Sequence, residues 1–357
     1  MRSLIVSILI LAAAGCSSKP EPAGDATASG SANTPPPSAN TIATYRIDKV
    51  PLPGAGRGDY IALDANARRL YVTHTGSVHI LDLDNLKPLG QIGGLKKAHG
   101  VALAPGVGRG FISDGDGNQV VVFDLATYKV VKTLKGGKNP DSILYDPASK
   151  MVFVFNGTTK DISVIDPVKA EIVKTIPIGD KPEFSRADGK GKIFVNLEDG
   201  AEIAVIDTAA QTVAAKYKLA DCEGPAALGL DDANRRLFAG CGNHQMKVVD
   251  ADSGTVIASL PIGEDADGIA YDPDEKRIFV ANRDGTMTIV RQEDADHYSV
   301  EQNLPTEEYA KTIALDPQTH RIFSSTADLV WPKAEPGKRL LPDAKPDSFR
   351  LLVISRS

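Results

Sequence analysis

The chain has 357 residues, a formal net charge of −6 and 42% hydrophobic residues. Acidic and basic residues are interspersed, which argues against nucleic-acid binding, because a phosphate-binding face needs clustered cations. The length suits one large all-β domain or two ordinary domains, and after residue 15 we expect no segment apolar enough to cross a membrane.

The first 15 residues have the pattern of an export signal. Arg2 supplies a positive charge, and the apolar run from Leu4 to Ala14 is too short to span a bilayer as a mature helix. Small residues precede Cys16, which resembles the lipobox at which bacterial lipoproteins are cleaved and lipidated. The alternative is an ordinary secretory signal with a chance cysteine. On the lipoprotein interpretation, the presence of Ser17 and not Asp favours the outer membrane, facing the periplasm.

A segment poor in large apolar residues follows the cysteine. It is rich in Pro, Ser, Ala and Gly, and it cannot bury enough surface to offset the entropy of ordering it. We therefore predict a signal peptide over residues 1–15, the lipidated Cys16 with a disordered tether over residues 16–43, and a folded domain over residues 44–357.

The folded domain repeats one pattern seven times, at intervals of 40 to 44 residues. In each unit a first strand ends at a turn, and the turn positions are Asp64, Ala104, Asp146, Asp188, Asp231, Asp272 and Asp316. A second strand begins with an aromatic residue, namely Tyr71, Phe111, Phe153, Phe194, Phe238, Phe279 or Phe323. A third strand usually ends in Asp, and a fourth ends at Gly or Pro. Alternation, β-branched residues and regularly spaced turns predict strands, and no helical period competes.

Four-stranded units at this period predict an all-β fold, a seven-bladed β-propeller of antiparallel blades. The seventh unit supplies only three strands. The segment from Tyr45 to Leu52 matches the fourth strand of the sixth unit, Tyr298 to Pro305. We therefore predict that this N-terminal strand closes the last blade, which removes two free sheet edges.

The segments "LYVTH", "VFVFN" and "IFVAN" resemble the YVTN repeat of YncE-like propellers, and the resemblance covers essentially all of residues 44–357. It implies the same seven-bladed fold. It implies little about function, since related propellers include lactone hydrolases, a lyase and quinone- or metal-dependent dehydrogenases.

In a propeller, the loops before the first strands and after the second strands share one face, around the mouth of the central channel. The residue before each predicted first strand forms an inner ring there, made of Asp59, His99, Asp141, Glu183, Ala226, Asp267 and Lys311. This ring predicts a site for a cation, a metal or a basic group, with His99 as ligand or base. The alternative is that these side chains cap backbone groups or meet only water.

The last YVTN position forms a second ring, made of His74, Asp114, Asn156, Leu197, Cys241, Asn282 and Thr326. These side chains suit hydrogen bonds within the following turn, or they complete the site at the mouth. A two-histidine site of His74 and His99 with Asp59 or Asp114 is a further alternative, but no metal-binding spacing supports it. We predict neither a metal nor a cofactor.

Cys222 and Cys241 are expected on one face of the fifth unit. In an exported protein they predict a disulfide that closes a loop of about 20 residues. The alternative is a redox thiol pair, but the sequence lacks a C-x-x-C spacing between them.

Two features depart from the repeat. The seventh unit carries a basic, Pro-rich insertion over residues 331–348, for which we predict either a partial lid that includes Trp331 or a disordered loop. Arg186, in the first strand of the fourth unit, is expected to pair with Glu183 or a neighbouring acid. The turn over residues 283–285 is expected only to turn the chain.

These features favour a membrane-anchored, monomeric scaffold that binds a small molecule or a protein through the mouth face. The predicted ligand-binding residues are Asp59, His74, His99, Asp114, Asp141, Asn156, Glu183, Arg186, Asp267, Asn282 and Lys311. An enzyme with its site at the charged ring is the alternative. We expect no nucleic-acid partner.

Overall fold

The computed structural model describes residues 43–333 and 341–357. The described residues belong to one compact unit, Ile42–Ser357. The predicted signal peptide, Cys16 and nearly all of the predicted tether lie outside the described residues. No described helix has the length and apolarity needed to cross a bilayer.

Seven four-stranded antiparallel sheets form the blades of a β-propeller, which confirms the predicted fold class. Blade 1 contains β2 (Gly58–Asp64), β3 (Arg69–His74), β4 (Ser77–Asp82) and β5 (Pro88–Gly93). Blade 2 contains β6 (Ala98–Ala104), β7 (Arg109–Asp114), β8 (Gln119–Asp124) and β9 (Val130–Lys135), with a short 3₁₀ turn at Pro105–Val107. Blade 3 contains β10 (Pro140–Asp146), β11 (Met151–Asn156), β12 (Asp161–Asp166) and β13 (Glu171–Pro177).

The remaining blades follow the same order. Blade 4 contains β14 (Pro182–Ala187), β15 (Lys192–Leu197), β16 (Glu202–Asp207) and β17 (Thr212–Lys218). Blade 5 contains β18 (Ala227–Asp231), β19 (Arg236–Gly240), β20 (Gln245–Asp250) and β21 (Val256–Pro261). Blade 6 contains β22 (Ala266–Asp272), β23 (Arg277–Asn282), β24 (Thr286–Gln292) and β25 (Tyr298–Pro305).

Blade 7 joins the two ends of the domain. It contains β26 (Ile313–Leu315), β27 (Ile322–Thr326), β30 (Arg350–Arg356) and, as its fourth strand, β1 (Tyr45–Pro51). β1 pairs with β30 from Tyr45 opposite Arg356 to Pro51 opposite Arg350, which confirms the predicted closure. A small hairpin of β28 (Leu329–Val330) and β29 (Asp343–Ala344) extends from this blade.

The aspartates of the repeat fix its turns. Asp64 Oδ1 accepts hydrogen bonds from the backbone N–H groups of Asn66 and Ala67, at 3.1 and 2.8 Å. Asp82 does the same after the third strand of blade 1, and further blades repeat the arrangement. An Asp side chain that bonds two residues ahead stabilises a tight turn, which explains the recurrence of Asp at these positions.

The hydrophobic core lies between the blades. One cluster combines Ile61 and Val72 of blade 1 with Phe323 and Leu351 of blade 7. The aromatic residues of the second strands are all at most 1% exposed, and they are Tyr71, Phe111, Phe153, Phe194, Phe238, Phe279 and Phe323. Apolar burial therefore holds neighbouring blades together, and a single blade has no core of its own.

Polar bonds also link blades, on the face opposite the mouth. The Arg68 guanidinium of blade 1 donates to both carboxylate oxygens of Asp316 in blade 7, at 2.9 and 2.8 Å. His320 Nδ1 lies 2.7 Å from Asp272 Oδ2, so blade 7 is linked in the same way to blade 6.

Candidate functional site

The first strands place the inner ring at the mouth of the channel. Strand pairing is irregular in β2 between Gly58 and Ile61, and similar shifts recur at the start of β6, β10, β14 and β22. Such bulges re-aim side chains out of the regular alternation. One cavity of about 280 Å³ is lined by Asp59, His99, Asp141, Glu183, Asp267 and Lys311. The structure therefore brings six of the seven predicted ring residues together, and Ala226 lines a neighbouring cavity.

Lys311 neutralises two of the ring acids. Its ammonium donates to Asp59 Oδ1 at 2.8 Å and also to Asp267 Oδ2. Burial disfavours each carboxylate, but Lys311 and His99 outweigh this effect and hold the pKa of Asp59 well below its usual range. Burial likewise disfavours the ammonium, while Asp267 and Asp59 together raise the pKa of Lys311.

Asp141 and Glu183 have weaker compensation. The nearest cation to Asp141 is the His99 ring, whose Nδ1 lies 3.6 Å from Asp141 Oδ1. Burial raises the pKa of Asp141, and burial together with the nearby Asp141 raises the pKa of Glu183 well above its usual value. Lys181 lies 2.6 Å from Glu183 but is shared with Glu198. This side of the ring therefore favours an incoming positive group.

His99 is held in place by its neighbours. Nδ1 lies 2.5 Å from Asp59 Oδ2, and Nε2 is buried without a hydrogen-bond partner among the described residues. A Cβ at Gly115 would lie 2.5 Å from Nε2, so this nitrogen packs against the Gly115 backbone. Burial lowers the pKa of His99, but Asp141 and Asp59 outweigh burial and raise it. These contacts fix the His99 imidazole and favour its protonated form, so it is poorly placed to act as an accessible base.

Asp59, His99 and Asp141 also have the composition of a cation site. One ligand atom from each lies within 4.8 Å of the others. Imidazole and carboxylate are ligands that divalent metals accept. However, both oxygens of Asp59 already accept bonds, one from Lys311 and one from His99. Asp59 is thus already satisfied within an internal ion-pair network and has no oxygen left for a metal.

The second ring does not share the mouth cavity. Asp114 Oδ1 accepts the backbone N–H groups of Lys96 and Lys97, at 2.9 and 2.7 Å. Asn156 and Asn282 donate within their own blades, and Thr326 donates to a backbone carbonyl, so these polar members hold loops.

His74 does not pair with His99 in a shared site. Its Nδ1 lies 3.3 Å from His79 Nε2, and its ring stacks on Phe349 with centroids 4.0 Å apart. The histidine pair that the fold creates is therefore His74 with His79. Burial lowers the pKa of His79 to about 4.

Several cavity residues were not predicted from the sequence. Most lie in loops between blades, whereas Tyr60 lies in β2, Arg283 in the turn between β23 and β24, and Leu341 in the insertion of blade 7. The loop residues are Arg57, Lys97, Asn139, Lys181 and Tyr309. The expectation that the turn over residues 283–285 only turns the chain was wrong, because Arg283 Nη2 donates to Asp267 Oδ2 at 3.1 Å. Its position after the second-ring residue Asn282 is the one signal that could have indicated this role.

The Pro-rich insertion adjoins the mouth at its base. The Trp331 ring meets the edge of Tyr309 with centroids 5.8 Å apart, and Leu341 lines the mouth cavity. Arg57 and Arg283 each lie within 6 Å of the Tyr309 ring, at 5.5 and 5.8 Å. The centre of the insertion, residues 334–340, lies outside the described residues, so the lid stays a prediction.

The two cysteines form a disulfide, as predicted. Cys222 and Cys241 are separated by 19 residues, and both are buried. The bond ties the loop that precedes β18 to the residue that follows β19.

Arg186 pairs with no carboxylate among the described residues, so the expected ion pair with Glu183 or another acid was wrong. Its Nη2 donates to the Ile269 carbonyl at 2.9 Å, and its guanidinium lies 4.3 Å from the centre of the Phe184 ring. The reason is the position of Arg186 in β14. It lies three residues after Glu183 along the strand, and therefore deeper in the channel than the acidic ring.

No family model matches the sequence, and no curated protein matches it. Among solved structures, Kuenenia stuttgartiensis hydrazine synthase is similar with 18% identity and a TM-score of 0.66, covering 78% of this chain and 94% of that one. U3-55K is similar with 7% identity and a TM-score of 0.72, covering 86% and 98%. The WD40 repeats of RRP9 are similar with 7% identity and a TM-score of 0.73, covering 87% and 97%. At these identities the likeness shows the propeller fold alone.

Proposed function

We propose that this chain is an exported, lipid-anchored propeller that works as a binding scaffold and takes a small, positively charged ligand at the channel mouth. The observation that carries the proposal is the imbalance within the ring. Asp59 and Asp267 are bonded directly by Lys311, whereas among the described residues Asp141 has only His99 within ion-pair distance, at 3.6 Å. A cationic group placed beside Asp141 would supply the missing compensation.

We further propose that this chain is a YncE-like propeller. The YVTN-like segments at the second strands support a YncE-like propeller, and the N-terminal pattern supports export and lipidation at Cys16. A rigid face on a flexible tether suits capture of a ligand or a protein close to a membrane, with the propeller acting as a monomer.

An enzyme at the charged ring is the second candidate. The observation that favours it is the raised pKa of Glu183, because a carboxyl that keeps its proton can act as a general acid. Against it, His99 offers neither nitrogen to the cavity, since one bonds Asp59 and the other packs on Gly115. The binding function therefore has the stronger support.

Calorimetric titration with alkyl diamines of two to six carbons tests the proposal. We expect saturable binding of at least one diamine, no binding of the diol of equal length, and an approximately tenfold loss in the Asp141→Asn variant. Asp116→Asn is the matched control, because Asp116 is exposed on a loop of the same face. Equal affinities in the two variants, or no diamine binding at all, would contradict a cation site at Asp141.

A further inference from the structure

At one position of the first strands, a single blade carries a charged side chain where the other six blades carry apolar ones. The residue that pairs with the aromatic of the second strand occupies the same height in every first strand. These residues are Ala62, Ala102, Leu144, Arg186, Gly229, Ala270 and Ala314. Six of these residues are apolar, and five of the six are small. Arg186 of blade 4 is therefore the one charged residue among the seven.

A second cavity of about 280 Å³ surrounds Arg186. Its walls come from the first strands of blades 1, 2, 3, 4 and 7, and they are mostly aliphatic, with Val101, Ile143, Leu144 and Leu315 among them. None of the four ring acids lines this cavity. It extends to Leu63 and Leu315, which directly precede turn residues of the face opposite the mouth.

Two aromatic rings mark the boundary between the two levels. Tyr60 follows Asp59 and Phe184 follows Glu183, and the two rings meet edge to face with centroids 5.0 Å apart. Tyr60 lines both cavities. The channel is therefore acidic on the mouth side of these rings and basic beyond them.

Within the described part of the chain, Arg186 uses little of its hydrogen-bonding capacity. Its bond to the Ile269 carbonyl accounts for one of the five N–H donors of a guanidinium. Burial lowers its pKa to about 10, so it stays charged at neutral pH. Arg186 is half-buried and has no carboxylate partner among the described residues, which is costly for a charge, and the contact with Phe184 offsets only part of that cost. The cavity thus places the Arg186 guanidinium beside aliphatic side chains.

We propose that this inner cavity is a second binding site, specific for a small organic monocarboxylate with an apolar tail. The carboxylate takes both oxygens to the Arg186 guanidinium, whose planar fork matches that geometry. The tail packs against Val101, Ile143 and Leu144. This site goes beyond the cation site at the mouth and does not depend on it.

Titration of the full-length chain with propionate, butyrate and benzoate, followed by ligand-observed NMR, tests the inner site. We expect at least one carboxylate to bind and the amide of the same acid not to bind. Arg186→Gln removes the charge and keeps a shorter polar side chain, so we expect at least about tenfold weaker binding with little change in thermal stability. Arg186→Lys should retain part of the affinity.

Two control variants separate the inner site from the mouth site and from a purely structural role of Arg186. Asp141→Asn should leave carboxylate binding unchanged, so failure of the mouth site and failure of the inner site give different results. Ala314→Leu narrows the inner cavity while Arg186 stays, and it should also abolish binding. Three results would contradict the inner site: carboxylate binding that survives Arg186→Gln, equal binding of the acids and their amides, or no binding together with a cooperative loss of stability in Arg186→Gln. Each would assign Arg186 a purely structural role.

Discussion

At the scale of the residue, equivalent positions of the repeat have unequal environments. Asp59, Asp141 and Asp267 occupy the same place in their blades, yet Lys311 bonds only the first and the last. The sequence could predict that these residues share a ring, because the repeat fixes their register. It could not predict which of the acids are paired with a cation, because cations such as Arg283 reach the inner ring from another loop.

Replacement of Lys311 by Met tests this pairing. The variant keeps most of the side-chain volume and leaves two buried carboxylates without their shared cation. We expect the free energy of unfolding at pH 7 to fall by about 3–5 kcal/mol, the usual loss when one partner of a buried ion pair is removed. Urea denaturation measures it, and Lys138→Met, at an exposed position of the mouth face, is the control.

The same variant has a defined pH dependence. In the native chain the pKa values of Asp59 and Asp267 are lowered, so their contribution to stability is present above the unfolded-state pKa, near 4, and is lost as the pH falls below it. Without Lys311 these carboxyls take up protons at higher pH. The stability difference between wild type and Lys311→Met should therefore shrink from pH 7 to pH 4, and a difference that grows in acid would contradict the pairing.

At the scale of the element, the strands and turns were predictable and the contacts between blades were not. A buried aromatic and a turn Asp mark each unit, and both have local physical reasons that leave a pattern in the sequence. The bond from Arg68 to Asp316 spans 248 residues and depends on ring closure. The predicted ion pair between Arg186 and Glu183 or a neighbouring acid failed for a related reason. The depth of Arg186 in the channel decides its partner, and its closeness to Glu183 along the chain does not.

The closing strand provides a test at this scale. Ile47 packs on the cluster between blades 6 and 7, Val50 packs on the cluster between blades 7 and 1, and Leu52 is 5% exposed. A chain that starts at Pro53 loses this burial and seven paired positions. We expect it to be less stable than a chain that starts at Ala43 by at least about 3 kcal/mol.

Complementation separates loss of closure from general damage. A peptide of residues 43–52 added in trans should restore the denaturation midpoint of the chain that starts at Pro53, and a scrambled peptide should not. Equal midpoints for the two chains without peptide would show that blade 7 is stable with three strands.

At the scale of the whole molecule, the closing strand connects the propeller to the proposed anchor. β1 begins at Tyr45, directly after the predicted tether of residues 16–43. A flexible chain of that length has a root-mean-square span of roughly 30 Å, about the size of a small domain. Lipidation at Cys16, if it occurs as proposed, would therefore tie the folded domain to a membrane.

Replacement of Cys16 by Ala tests the anchor in a bacterial host. Without the thiol no lipid can be attached, so we expect the full-length chain to move from the detergent-soluble membrane fraction to the aqueous fraction. Ser17→Ala, one residue further on, is the matched control and should stay in the membrane fraction. A wild-type chain in the aqueous fraction would indicate that the N-terminal pattern is an ordinary secretory signal. A Cys16→Ala chain that stays in the membrane fraction would contradict the lipid as the sole anchor and would point to another attachment, such as an uncleaved apolar segment over residues 4–14.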